Sequence, residues 1–65
     1  MRKGMVMRID QLIGCGFIQD ENEQEIAFCL KNTDGHIKIG NTVGFEIELT
    51  QHGLIAINIK LPILS

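Results

Sequence analysis

The chain has 65 residues, 45% of them hydrophobic and 22% charged, with a net charge of −2. That length allows one domain, and a domain of this size buries only about 60% of the surface its unfolded chain exposes. The hydrophobic share excludes disorder, no apolar run approaches the ~20 residues of a membrane-spanning helix, and the slight negative charge offers nucleic acid no whole-chain attraction.

Glycine punctuates the sequence, and no stretch of a dozen residues carries a clean helical stripe. The first expected strand covers residues 3–10, centred on Met5, Val6 and Met7. The second covers residues 15–19 and the third residues 25–30, with the polar run Asp20, Glu21, Asn22, Glu23 and Gln24 turning the chain between them. Residues 31–40, with Asn32, Asp34 and Gly35, read as a connecting loop. In residues 42–49, Val43, Phe45, Ile47 and Leu49 alternate with Gly44, Glu46 and Glu48, the period of a strand with one buried face. Gln51, His52 and Gly53 form a turn, and residues 54–60 complete a fifth strand. Short strands at this spacing indicate an all-β barrel or sandwich.

The hairpin of the second and third strands can be read to the residue. Antiparallel pairing across the polar run sets Cys15 opposite Cys29, Phe17 opposite Ala27 and Gln19 opposite Glu25. Ile18, Ile26 and Phe28 then point to the core, and Cys15, Phe17, Ala27 and Cys29 point away. A slip of one residue would invert both faces, so the buried face fixes the register.

Four segments carry a resemblance to a known family: Lys3-Gly4-Met5-Val6, Gly14-Cys15-Gly16-Phe17-Ile18, Gly40-Asn41-Thr42-Val43-Gly44-Phe45-Glu46-Ile47, and Gly53-Leu54-Ile55-Ala56-Ile57-Asn58-Ile59. In order and approximate spacing they resemble the bacterial cold-shock proteins, with a shorter middle loop. The resemblance implies a single small five-stranded antiparallel OB-like β-barrel over residues 1–65, residues 61–65 being a short tail. It also implies binding of single-stranded RNA or DNA. In that family, bases stack on outward aromatic rings of the second and third strands, each stack worth about 1–3 kcal/mol.

This chain departs from the family at those positions. Arg8 stands where the family has a tryptophan, Ile9 a phenylalanine and Ile13 a lysine. Cys15, Ala27 and Leu30 replace aromatics, and Cys29 replaces a histidine. Phe17 alone of the stacking set is kept. The expected function is weak binding of single-stranded nucleic acid, with Phe17 as stacking residue and Arg8 and Lys31 as cationic contacts, a guanidinium plane being able to stack on a base. The plain reading of Arg8 is a solvated arginine, and of Lys3, Lys31 and Lys38 a scattered surface set.

The same outward residues support an alternative. Cys15, Phe17, Ala27, Cys29 and Leu30 make an apolar patch of the kind that marks a protein interface, a homodimer included. The apolar residues 61–64 could also pack there. Three readings of Cys15 and Cys29 stand: small apolar fillers, a redox-sensitive pair, or half of a metal site whose remaining ligands would have to come from His36 and His52. Two cysteines make neither a disulfide framework nor a zinc site, so no metal or other cofactor is expected. Nothing reads as a signal peptide or membrane segment, so a cytoplasmic location with reduced thiols is the expectation. The acidic run 20–25 reads as a solvated loop that repels phosphate. No triad, carboxylate pair or phosphate-binding glycine loop is present, so no enzymatic activity is expected.

Overall fold

A computed structural model describes residues 2–33 and 36–61. Its elements are β1 (Arg2–Asp10), β2 (Cys15–Asp20), β3 (Glu25–Cys29), a 3-10 turn (Leu30–Asn32), β4 (Thr42–Thr50) and β5 (Gly53–Lys60). The five expected strands are all present, closed into a barrel in the order β1-β2-β3-β5-β4. Asp34 and Gly35 of the expected loop, and residues 62–65 of the tail, lie outside the described residues.

The pairing is not purely antiparallel. β3 and β5 run parallel, with Ala27 beside Ile55 and Phe28 beside Ala56, while the other four pairings are antiparallel. Parity requires this. Neighbours in a ring can all alternate in direction only when the strand number is even, so five strands leave one parallel junction.

The β2–β3 hairpin has the expected register without a shift: Cys15–Cys29, Gly16–Phe28, Phe17–Ala27, Ile18–Ile26 and Gln19–Glu25. Ile18, Ile26 and Phe28 are buried, with Val6, Val43, Phe45, Ala56, Ile59 and the loop residue Ile37 completing the core. Gly16 is glycine because Phe28 lies across it: a Cβ there would sit 2.5 Å from the ring and 2.7 Å from the Arg8 carbonyl. The acidic turn differs from its expected solvated form. Asp20 is buried, and its Oδ1 accepts the backbone N–H groups of Asn22 and Gln24, both at 2.9 Å. The carboxylate thereby organises the turn, with Glu23 at φ 64°.

Two bulges bend the ring. In β1, Val6 pairs with Ile18 but Arg8 pairs with Phe17, so Met7 is the extra residue. In β5, Gly44 pairs with Lys60 but Glu46 with Ile57, and Asn58 sits in the slack at φ 52°. Asparagine tolerates that left-handed conformation, and its Nδ2 donates to Glu46 Oε2 at 2.9 Å. The bulge brings Ala56 and Ile59, three positions apart, both into the core. A regular period of two would separate them.

The even alternation expected of β4 holds for Val43 and Phe45, both fully buried, and then fails. Ile47 is half-buried and Leu49 is 77% exposed. Beyond the register shift, this end of β4 pairs with β5 alone and runs past its last pair with β1, and of its outlying apolar residues only Ile47 still packs against the core. Leu30 also departs from expectation. It leaves β3 for the 3-10 turn and packs against the core, as does Leu61.

Candidate nucleic-acid interface

The outward rows of β1, β2 and β3 form a small grid. Met5 lies beside Gln19 and Glu25, Arg8 beside Phe17 and Ala27, and Asp10 beside Cys15 and Cys29. The middle row depends on the Met7 bulge. Val6 is buried, and in an unbroken strand Arg8 would share its face and point into the barrel. The extra residue turns Arg8 outward and sets it across from Phe17.

The guanidinium carbon of Arg8 stands 4.7 Å from the centroid of the Phe17 ring, within range of a cation–π contact. Arg8 Nη2 also reaches Glu25 Oε1 at 3.5 Å, with both side chains mostly exposed. An exposed pair at that distance contributes little, so Glu25 lowers the local positive charge without locking the guanidinium. Ala27 adds almost no bulk on the other flank of Phe17. One side of the ring is covered by a cation, and the other borders a methyl group.

An open depression begins at this pair and runs up to the end of the barrel, edged by Arg8, Phe17, Cys15, Ile13 and Ile39. Leu12, at 100% exposure, and Ile13, at 75%, stand on the β1–β2 loop. That loop is shaped by Asp10, whose Oδ1 accepts the N–H groups of Leu12 at 3.1 Å and Ile13 at 3.2 Å. Gly14 closes it at φ 82°, its N–H donating to the Asp10 carbonyl at 2.8 Å. Lys31, exposed on the 3-10 turn, edges an adjoining depression with Cys29, Leu30 and Ile37. Ile13 borders both hollows.

The structure thus brings Arg8, Phe17 and Cys15 together, with Ala27 and Cys29 next to them on β3. It places Lys31 beyond Ile13 and packs the half-buried Leu30 against the core. Sequence reasoning missed the apolar rim of Leu12, Ile13 and Ile39. Its signal was two consecutive apolar residues inside a loop closed by Gly14, and an isoleucine before Gly40. His36 and His52 are both exposed, as expected of turn residues. Among the described residues no group of three His, Cys, Asp or Glu is placed to hold a metal ion. No helix among them is long and apolar enough to cross a membrane. The sequence matches no family model, and no curated protein matches it.

Proposed function

We propose that this barrel is a divergent relative of the cold-shock proteins that binds single-stranded RNA or DNA weakly, as a cytoplasmic binding module without catalysis. The closed five-stranded barrel is compatible with an OB-type domain. The observation that carries the reading is the Arg8–Phe17 stack on the open outer face of β1 and β2. A π-face next to a cation is the minimal device for holding a base and its phosphate. Lys31 supplies a second cation further along the same side of the barrel end.

The test is a titration of labelled pyrimidine-rich oligonucleotides at low and moderate salt. Binding is expected at tens of micromolar in low salt. With two phosphate contacts to a single strand, the log–log salt slope should be about −1.4. Phe17→Ala should weaken binding at least about fivefold, the lower end of one lost stack. No binding at tens of micromolar in low salt would overturn the proposal.

A second reading rests on the apolar rim. Leu12, Ile13 and Ile39 are all more than half exposed beside Phe17, and a contiguous surface of that kind suits a protein partner, including a second copy of this chain. Under this reading Phe17→Ala lowers self-association and leaves oligonucleotide affinity at background. A monomer mass at every concentration in sedimentation equilibrium would remove the homodimer.

A further inference from the structure

Cys15 and Cys29 are directly opposed on β2 and β3. The hydrogen bonds at both ends of the hairpin fix what kind of pair they form. The Leu30 N–H donates to the Gly14 carbonyl at 2.9 Å, and the Asp20 N–H donates to the Gln24 carbonyl at 2.9 Å. Both bonds join residues that face each other in the same register. Bonded and non-bonded pairs alternate along an antiparallel ladder. Gly16–Phe28 and Ile18–Ile26 are therefore bonded pairs, and Cys15–Cys29 is a non-bonded one. In non-bonded pairs the Cα atoms lie about 4.5 Å apart and the side chains are closest. That falls within the ~4.4–6.8 Å span of disulfides.

Both thiols are free and half-exposed. Cys15 edges the hollow beside Arg8 and Phe17, and Cys29 edges the neighbouring hollows beside Lys31 and Asn58, so each can be reached from solvent. Both cysteines sit at strand ends: Cys15 opens β2 directly after Gly14, and Cys29 is the last residue of β3 before the 3-10 turn.

We propose that Cys15 and Cys29 form a reversible thiol–disulfide exchange site that reacts with small-molecule disulfides of the glutathione type. One cysteine thiolate attacks the small disulfide, forming a mixed disulfide and releasing one thiol. The opposed cysteine then attacks the protein sulfur of that mixed disulfide, forming the Cys15–Cys29 bond and releasing the second thiol. Two protein thiols are oxidised, one small disulfide is reduced to two thiols, and the two protons leave with them. This site is independent of the nucleic-acid reading.

The experiment equilibrates the full chain in glutathione buffers of graded ratio, alkylates the remaining thiols and weighs the products. The wild type should yield a monomer lighter by about 2 Da that resists alkylation and is restored by reductant. Cys15→Ser and Cys29→Ser should yield mixed disulfides alone. A parallel titration in concentrated urea separates geometry from chemistry. The folded chain should hold its disulfide at a buffer about 100-fold more reducing than the unfolded chain does, the bond and the fold favouring each other. The oxidised protein should also melt roughly 10 °C higher. Doubly glutathionylated monomer, cross-linked dimer, persistently free thiols, or equal titrations for the folded and unfolded chain would each overturn the proposal.

Discussion

The β2–β3 hairpin keeps one register from Gln19–Glu25 to Cys15–Cys29, whereas the β4–β5 hairpin shifts register between Gly44 and Glu46. The first ends in a turn built on a buried carboxylate. The second ends in a turn held by Thr50, whose Oγ1 donates to the Gly53 carbonyl at 2.8 Å and accepts the His52 N–H at 3.1 Å. Every inward side chain of the first reaches the core. The second carries Leu49 and Leu54 opposite each other, both mostly exposed. The difference teaches that the β2–β3 part of the candidate face is regular, while the irregularity lies in β4–β5 and in β1, whose Met7 bulge sets Arg8 on that face. Curvature has to enter somewhere, and a bulge is how an antiparallel pair bends.

The contrast can be broken most severely at Gly16. Gly16→Ala drives a Cβ into the Phe28 ring and the Arg8 carbonyl, both under 3 Å. The expected cost is about 3 kcal/mol, most of what a domain this small has, so urea unfolding should show an early midpoint or no folded baseline. A loss below about 1 kcal/mol would mean the two strands are not held this closely. Next comes the pair of turns. Asp20→Ala should lower stability by about 1–2 kcal/mol and Thr50→Ala by about half that, read from midpoints at constant slope. Equal losses would erase the distinction between the hairpins.

Asn58 tests the bulge itself. Asn58→Ala should cost about 1 kcal/mol because an L side chain is strained at that φ, while Asn58→Gly should stay within about 0.5 kcal/mol. The smallest effect is expected at the exposed end, where Leu49→Thr should change stability by less than about 0.5 kcal/mol. A larger loss would show that Leu49 is covered in solution.

The hairpin 14–30 was legible because strict alternation and a buried face leave one register. Glycine 16 was legible as part of a motif, though the reason for it, the Phe28 ring, was not. The alternation of residues 43–49 misled at Leu49, because a period of two says which side a residue faces and not whether anything lies there. Neither bulge could be read. Met7 differs from its neighbours in no way a pattern would register, yet it decides whether Arg8 meets Phe17 or the core. Asp20 looked like one of several loop acids, and nothing in the pattern marks it as the one whose Oδ1 serves the turn's own backbone donors. Ile37 was hidden for a related reason: it and Ile39 flank Lys38 in a polar loop, two apolar residues are too few for a period, and one is buried while the other is mostly exposed.

The parallel junction of β3 and β5 has a consequence for how the chain finds and leaves its native state. It joins residues far apart in sequence through two residue pairs, Ala27–Ile55 and Phe28–Ala56, whereas both hairpins are local and longer. Loop-closure entropy must be met before such a pairing returns anything. The β1–β4 pairing joins residues still further apart but through four residue pairs, so the two-pair seam is the weaker long-range junction; opening it leaves the other four pairings as one curled sheet, and the seam should be where the ring first opens. Native-state hydrogen exchange should find the seam amides of β5 opening at lower free energy than those of Ile18 and Ile26. A barrel that unzips along one line presents its core edge-on for a moment while its other four pairings still hold.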